Sequence, residues 1–409
     1  MKFRNNKAAA AAMALLVTAG TVFPSTAVFA VNRYTPVQGT QASFDKYLVM
    51  DKEAQVPNVS FTFTITPGNA KTYSVEGKKF EVLAGVGTPT MAGVGTNQKN
   101  TIAFAPGDGS DSDAAHSEGD LVKNLDTSVS KYAKKTAVVD FSGCSFTEPG
   151  VYRYVITESG SNQAVTNDAD LTRIMDVYVI DDNGVLKVQS YVLHANESDL
   201  IMGTGHGTED IEESEMKPQG FTNEYDTSNL TFRKQVAGNQ ASHDKYFEFT
   251  LQITDAQPGT VYDVLLTGAD AVSEKNDATI PENAGKTNPS TLTVGEDGTV
   301  LQKFYLQHGQ QITVQGIAKD TSYTVTENPE DYKPRANTAA SPVVEICQGS
   351  VSADTVGVIQ DKDLTTGYLN ERRGVIPTGV MMTVAPFAAV TLFGGLGAAT
   401  IMMKRKKED

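Results

Sequence analysis

Between about residue 31 and residue 372, the apolar residues of this chain come in short runs of period two. Val59-Ser-Phe61-Thr-Phe63-Thr-Ile65, Tyr152-Arg-Tyr154-Val-Ile156, Phe247-Glu-Phe249-Thr-Leu251 and Tyr323-Thr-Val325 each put β-branched or aromatic side chains on alternate positions. A helix needs a period near 3.6, so these runs predict strands. Turn-forming sequences separate them: Pro67-Gly68, Asp182-Asn183-Gly184, Pro258-Gly259 and Glu296-Asp297-Gly298. No long amphipathic helical pattern interrupts this region. Many short strands with such punctuation predict an all-β protein built from immunoglobulin-like β-sandwiches.

The strand runs repeat. Phe44-Asp-Lys46 is echoed by Phe232-Arg-Lys234, and each is followed 13 to 15 residues after the lysine by Phe-x-Phe-x-(Ile/Leu). Tyr154-Val-Ile-Thr-Glu158 is echoed by Tyr323-Thr-Val-Thr-Glu327. Each copy closes on an aromatic and an asparagine, Phe221-Thr-Asn223-Glu and Tyr368-Leu-Asn370-Glu. The expected organisation is therefore a first domain over 31–225 and a second over 226–372, joined by the short Asp226-Thr-Ser-Asn229. The first copy is larger, and its extra length is expected in loops such as Gly107–Asp120 and Gly203–Glu215.

In both copies the order is Lys, Glu, Asn, on strands expected to face a core. Burial lowers the pKa of a lysine and raises that of a glutamate. A neutral lysine amine is a nucleophile, and a glutamic acid can polarise an asparagine carbonyl and shuttle protons. Attack on the amide carbon with loss of ammonia would give a Lys–Asn isopeptide bond without cofactor or metal. The residues alone also describe a buried Lys–Glu ion pair with a capping Asn, since buried charges are paired in any case.

The two ends carry addresses. Lys2, Arg4 and Lys7 precede an apolar run from Ala8 to about Val22 and then Val28-Phe29-Ala30. This is the pattern of a secretory signal peptide over 1–30. At the other end, 380–403 is long and apolar enough to cross a bilayer, and the basic tail 404–409 favours a cytoplasmic end. Without the signal peptide and the segments after Gly379, the formal charge moves from −15 to −20, with 27 basic against 47 acidic residues. So acidic a chain lacks the basic patches that a phosphate backbone needs, which excludes nucleic acid as a partner. Two cysteines, Cys144 and Cys347, cannot form a disulfide framework.

Val375-Ile376-Pro377-Thr378-Gly379, followed by an apolar span and a basic tail, resembles the cell-wall sorting signal of Gram-positive surface proteins. In that family a sortase cleaves between Thr and Gly, here Thr378 and Gly379. The common signal has one more residue between Pro and Thr; this sequence looks like a shorter variant seen in some pilus subunits. The repeated Lys–Glu–Asn order and its strand contexts resemble the isopeptide-forming (Cna-B-like) domains of sortase-assembled pilins, of the streptococcal T-antigen or FctA type. That resemblance covers nearly all of 31–372. It implies crosslinks Lys46–Asn223 assisted by Glu158 and Lys234–Asn370 assisted by Glu327. Lys52, the rival of Lys46, lacks the Phe-x-Lys match. It further implies that Lys217, six residues before Asn223, accepts the Thr378 carboxyl of the next subunit, with Lys187 and Lys123 as weaker candidates.

The expected function is thus a structural subunit of a covalent pilus, not an enzyme, anchored to the wall after a membrane-tethered precursor stage. The alternative is a monomeric wall-anchored adhesin. Implied partners are a sortase, identical subunits, ancillary tip or basal pilins, peptidoglycan and host-surface ligands; no cofactor is implied. Asp108-Gly-Ser-Asp111-Ser-Asp113 lacks the glycine and closing glutamate of a calcium loop, and the five histidines show no zinc spacing, so no metal is expected.

Overall fold

The computed structural model describes residues 35–75, 78–112, 125–160, 162–195, 220–268, 274–275, 283–340 and 352–374. The signal peptide, Lys123, Lys217, Cys347, the 375–379 motif, the apolar span and the basic tail lie outside the described residues, as does most of both long loops. Among the described residues, no helix is long and apolar enough to cross a membrane.

The first half contains β1 (Thr35–Gly39), β2 (Gln41–Asp51), β3 (Val59–Pro67), β4 (Lys71–Val75), β5 (Lys78–Ala84), β6 (Thr90–Met91) and β7 (Thr101–Phe104). It continues with β8 (Ser110–Asp111), β9 (Ser130–Asp140), β10 (Gly150–Ser159), β11 (Val165–Thr166), β12 (Thr172–Asp182), β13 (Val185–His194) and β14 (Gly220–Tyr225). One sheet runs β1-β13-β12-β10-β3-β7, with the β4–β5 hairpin joined to β10 through β5. The opposing sheet runs β11-β14-β2-β9-β6, with β8 on β9. The period-two runs form strands because each can bury one face: β3 alternates buried and exposed positions from Val59 to Ile65. Both sheets feed one core, in which Phe44, Phe63 and Phe221 pack at ring separations of 5.1 to 5.7 Å.

The second half contains β15 (Thr227–Ala237), β16 (Phe247–Thr254), β17 (Val261–Gly268), β18 (Glu274–Lys275), β19 (Lys286–Thr287) and β20 (Thr291–Thr293). It ends with β21 (Val300–Leu306), β22 (Gln310–Ala318), β23 (Ser322–Glu327), β24 (Lys333–Ala340), β25 (Asp354–Val358) and β26 (Leu364–Glu371). Its sheets run β20-β17-β22-β15-β26-β24 and β21-β16-β23-β25, with a separate β18–β19 hairpin. A second core lies between them, centred on Phe232, Phe249, Phe304 and Tyr368. The chain is all-β, as its alternation predicts.

One topological feature recurs. β14 pairs with β2 in parallel, and β26 pairs with β15 in parallel. In each half the strand bearing the lysine therefore lies directly beside the closing strand.

Candidate crosslinking sites

The repeat seen in the sequence is a repeat of register. Lys46 lies opposite Phe221, and Asn223 is two residues further along the same strand. Lys234 lies opposite Tyr368, with Asn370 again two residues on. Residues two apart in a strand share a face, so lysine and asparagine both point into the sandwich. The glutamates arrive from the opposing sheet: Glu158 pairs with Phe63, and Glu327 with Phe249.

All six side chains are buried, Lys46 and Asn370 completely. Lys46 Nζ donates to Glu158 Oε2 at 2.7 Å, and Asn223 Nδ2 donates to Glu158 Oε1 at 2.6 Å. Lys234 Nζ lies 2.6 Å from Glu327 Oε1, which also accepts from Asn370 Nδ2 at 2.9 Å. The 2.6 Å Lys234 contact is close, but its direction is poor for a hydrogen bond, and Glu327 Oε2 has no hydrogen-bond partner among the described residues. Each ammonium rests on an aromatic face, Lys46 over Phe61 at 4.3 Å and Lys234 over Phe247 at 4.7 Å.

Burial drives both lysines down to about 8, although the facing glutamates pull the other way. Burial pushes Glu327 above the ordinary carboxyl value, against the close Lys234 charge and the hydrogen bond from Asn370. At the second site the desolvated interior thus favours a neutral amine beside a carboxylic acid.

The first site is fixed more firmly than the second. Gly220 opens β14, and a Cβ there would sit 1.7 Å from the Asp45 carbonyl oxygen. Only glycine lets the closing strand lie this near the lysine strand. The Gly220 carbonyl accepts from Arg173 Nε at 2.9 Å, and Arg173 stacks over Phe221. Arg173 also donates to Asp168 Oδ2 at 2.6 Å.

The sequence reading had the glutamate polarising the asparagine carbonyl. In the first site Glu158 instead touches the amide nitrogen, and the carbonyl oxygen Oδ1 accepts from the backbone N–H of Asp168 at 3.1 Å. Asn167 Oδ1 accepts from the same amide nitrogen at 3.2 Å. Asn167, Asp168 and Arg173 were invisible in the sequence, where Thr-Asn-Asp-Ala-Asp reads as a turn. Only the pairing of β11 with β14 brings this segment to Asn223.

Other candidates fall elsewhere. Lys52 is exposed and donates to the Thr127 carbonyl at 3.2 Å, away from both sites. Lys187 pairs with Asp182 at the surface. Asp108 pairs with Lys135 at 2.7 Å and caps the Ala105 amide at 2.8 Å. Among the described residues, no group of three His, Cys, Asp or Glu side chains could hold a metal. Cys144 is a buried free thiol.

One buried cluster was not anticipated. Arg153 makes a two-pronged contact to Asp176 at 2.9 and 2.8 Å and reaches Tyr73 at 2.8 Å. Burial alone would raise the Asp176 pKa, but Arg153 and His194 hold it below the ordinary value. The pair clamps the β4–β5 hairpin to the outer face of β10 and β12.

Residues 42–226 match the family model of the Spy0128-like isopeptide containing domain, and residues 228–362 match that of a domain of unknown function (DUF7601). A curated pilin of Streptococcus pyogenes serotype M1 is 27% identical over 401 residues, covering 96% of this chain and 98% of that protein. Among solved structures, a major pilin of Streptococcus pyogenes aligns with 83% of this chain and all of its own at 20% identity and a TM-score of 0.49. The major pilin T3.2 of the same species aligns at 18% identity, covering 83% of this chain and 99% of its own, with a TM-score of 0.49. Residues 42–226 of this chain are therefore similar to the Spy0128-like isopeptide containing domain, in a chain similar over nearly its whole length to a streptococcal pilin.

Proposed function

We propose that this chain is a structural subunit of a covalently polymerised surface pilus, locked internally by the isopeptide bonds Lys46–Asn223 and Lys234–Asn370. The observation that carries this reading is the twofold recurrence of one buried Lys–Glu–Asn cluster, each time between the lysine strand and the adjacent closing strand. An isolated buried ion pair would explain one such cluster. It would not explain why the third member is an asparagine at the same offset in both halves.

The chemistry is intramolecular. The facing glutamate holds the proton that the lysine gives up, so the amine lone pair is free to attack the asparagine Cγ. A C–N bond forms, and the carbonyl π pair moves to Oδ1. The tetrahedral species then collapses: the glutamate gives its proton to the amide nitrogen, which leaves as ammonia, and takes up the surplus proton of the former lysine nitrogen. Each lysine is consumed once, so the site does not turn over.

The fibre would be built by a separate link between subunits. A sortase cleaves between Thr378 and Gly379, and the Thr378 carboxyl is joined to Lys217 of the next subunit. Export by the 1–30 signal and retention by 380–409 precede that step. Identical subunits, ancillary pilins and the peptidoglycan are the partners.

Intact-mass measurement of the mature fragment tests the internal bonds. The expected result is the loss of two ammonia, with Glu158→Ala and Glu327→Ala each restoring one; full unmodified mass would remove the crosslink reading. Wall extracts test assembly. They should show a ladder that disappears in Lys217→Ala, whereas one anchored species in both strains would favour the monomeric adhesin.

A further inference from the structure

The first crosslinking site holds a group that would assist the reaction and that the Lys–Glu–Asn triad does not supply. When an amine attacks an amide, negative charge collects on the carbonyl oxygen. In a water-excluded site a hydrogen-bond donor already aimed at that oxygen lowers the barrier. Glu158 is engaged elsewhere, accepting from Lys46 and from the Asn223 amide nitrogen. The donor on Asn223 Oδ1 is the backbone N–H of Asp168, at 3.1 Å.

That N–H is held in place from three sides. Asp168 Oδ2 accepts from Arg173 at 2.6 Å and from the Thr222 amide at 2.8 Å, and its Oδ1 accepts from the Asp170 amide at 3.0 Å. Arg173 is itself buried and tied to the Gly220 carbonyl. The carboxylate therefore anchors the loop to the closing strand at Thr222 and, through Arg173, at Gly220. On the other side, Asn167 Oδ1 accepts from the departing nitrogen and orients the amide plane. A donor on Oδ1 and acceptors on Nδ2 also leave one orientation for the amide, with its nitrogen toward Glu158.

The second half is built differently. Asn370 lies opposite Pro334 of β24, and its Oδ1 has no hydrogen-bond partner among the described residues.

We propose that the Asp168 backbone N–H is the oxyanion donor for Lys46–Asn223 bond formation, with Arg173 and the Asp168 carboxylate as its positioning groups and Asn167 as the orienter of the leaving amide. This rests on the crosslink reading above. The electron pair displaced onto Oδ1 is received by this N–H and returns as ammonia departs, so no further reactant is needed.

The test follows bond formation in newly synthesised full-length mature chain. Cell-free translation is sampled by acid quench, and peptide mass mapping reports each bond separately. Asp168→Pro removes the N–H. It should slow the Lys46–Asn223 bond by about 10²-fold, while the Lys234–Asn370 bond keeps its rate as an internal reference. Asp168→Pro in a Lys46→Ala background should still give a cooperative first-domain melting transition, lowered by the loss of the Asp168 carboxylate, which excludes misfolding as the cause. If the proline variant fails to fold, Asp168→Ala decides, because it keeps the N–H but frees the loop; a clear slowing, roughly tenfold, is expected. An unchanged first-domain rate in a folded variant overturns the oxyanion assignment alone. Absence of the bond from the unsubstituted chain overturns the crosslink reading itself.

Discussion

Lys234 and Glu327 are best understood as one titrating unit. The reactive arrangement, a neutral amine beside a carboxylic acid, carries the same number of protons as the ion pair. Moving the proton within the pair is therefore invisible to bulk pH. The lysines sit near 8, lowered by burial, so the unit loses its proton as the pH rises through that value. Above it, no acid remains to protonate the departing amide. At the other extreme, Glu327, whose pKa is raised by burial, takes up a second proton and leaves the lysine charged. The rate of the Lys234–Asn370 bond should consequently be flat over a window that ends near pH 8, falling above it as the unit loses its proton and below it once Glu327 takes up the second. Quenched-flow mass spectrometry at a series of pH values measures this. A rate climbing tenfold per pH unit across that window would mean that the lysine reacts as an independent amine.

At the scale of the strands, the parallel pairs β2–β14 and β15–β26 carry the argument. A chain pulled at its ends draws two adjacent parallel strands in opposite directions, so every ladder hydrogen bond is loaded in shear at once. A covalent bridge between them also restricts the unfolded chain, by roughly 5 kcal/mol on a loop-entropy model. Lys46→Ala or Lys234→Ala should therefore lower the melting temperature of its own half by about 10–20 °C, read by calorimetry, and leave the other half near its original transition. The strands and all six triad residues were legible in the sequence because period two and the echoed Phe-x-Lys, Thr-Glu and aromatic-x-Asn patterns survive without knowledge of pairing. What escaped depends on pairing. Arg153 and Asp176 become partners only when β10 and β12 align, which sets them opposite each other beneath the β4–β5 hairpin. Asp168 acts through its main chain, which leaves no trace in residue type.

At the scale of the whole molecule, the two halves meet through a fitted joint. Gln55 donates to Asp263 at 2.6 Å, Asn58 to the Pro258 carbonyl at 2.8 Å, and Asn229 to Glu53 at 2.9 Å. Ala318, at the end of β22, packs into the first core, and Gly316 approaches so near that a Cβ there would lie 2.6 Å from the Ala54 Cα. Gly316 also has φ of +66°, which disfavours any side chain. Gly316→Val should pry the joint apart and expose the 226–229 join to proteolysis under native conditions, with cleavage mapped by mass spectrometry. Unchanged resistance would mean that the join is protected by something other than this contact.

The parallel neighbours have one more consequence once both links are in place. In a fibre joined through Thr378 and Lys217, tension entering at Lys217 runs along β14 and β15 to Lys234 and crosses the second link to Asn370. Almost everything else in each sandwich is bypassed. The stretch that does bear tension is already extended strand, at about 3.3 Å per residue against a limit near 3.6 Å. It has almost no slack. Such a fibre behaves as a stay cable rather than a spring: it passes a tug on to its anchor undiminished, and any give must come from the wall or from whatever it grips.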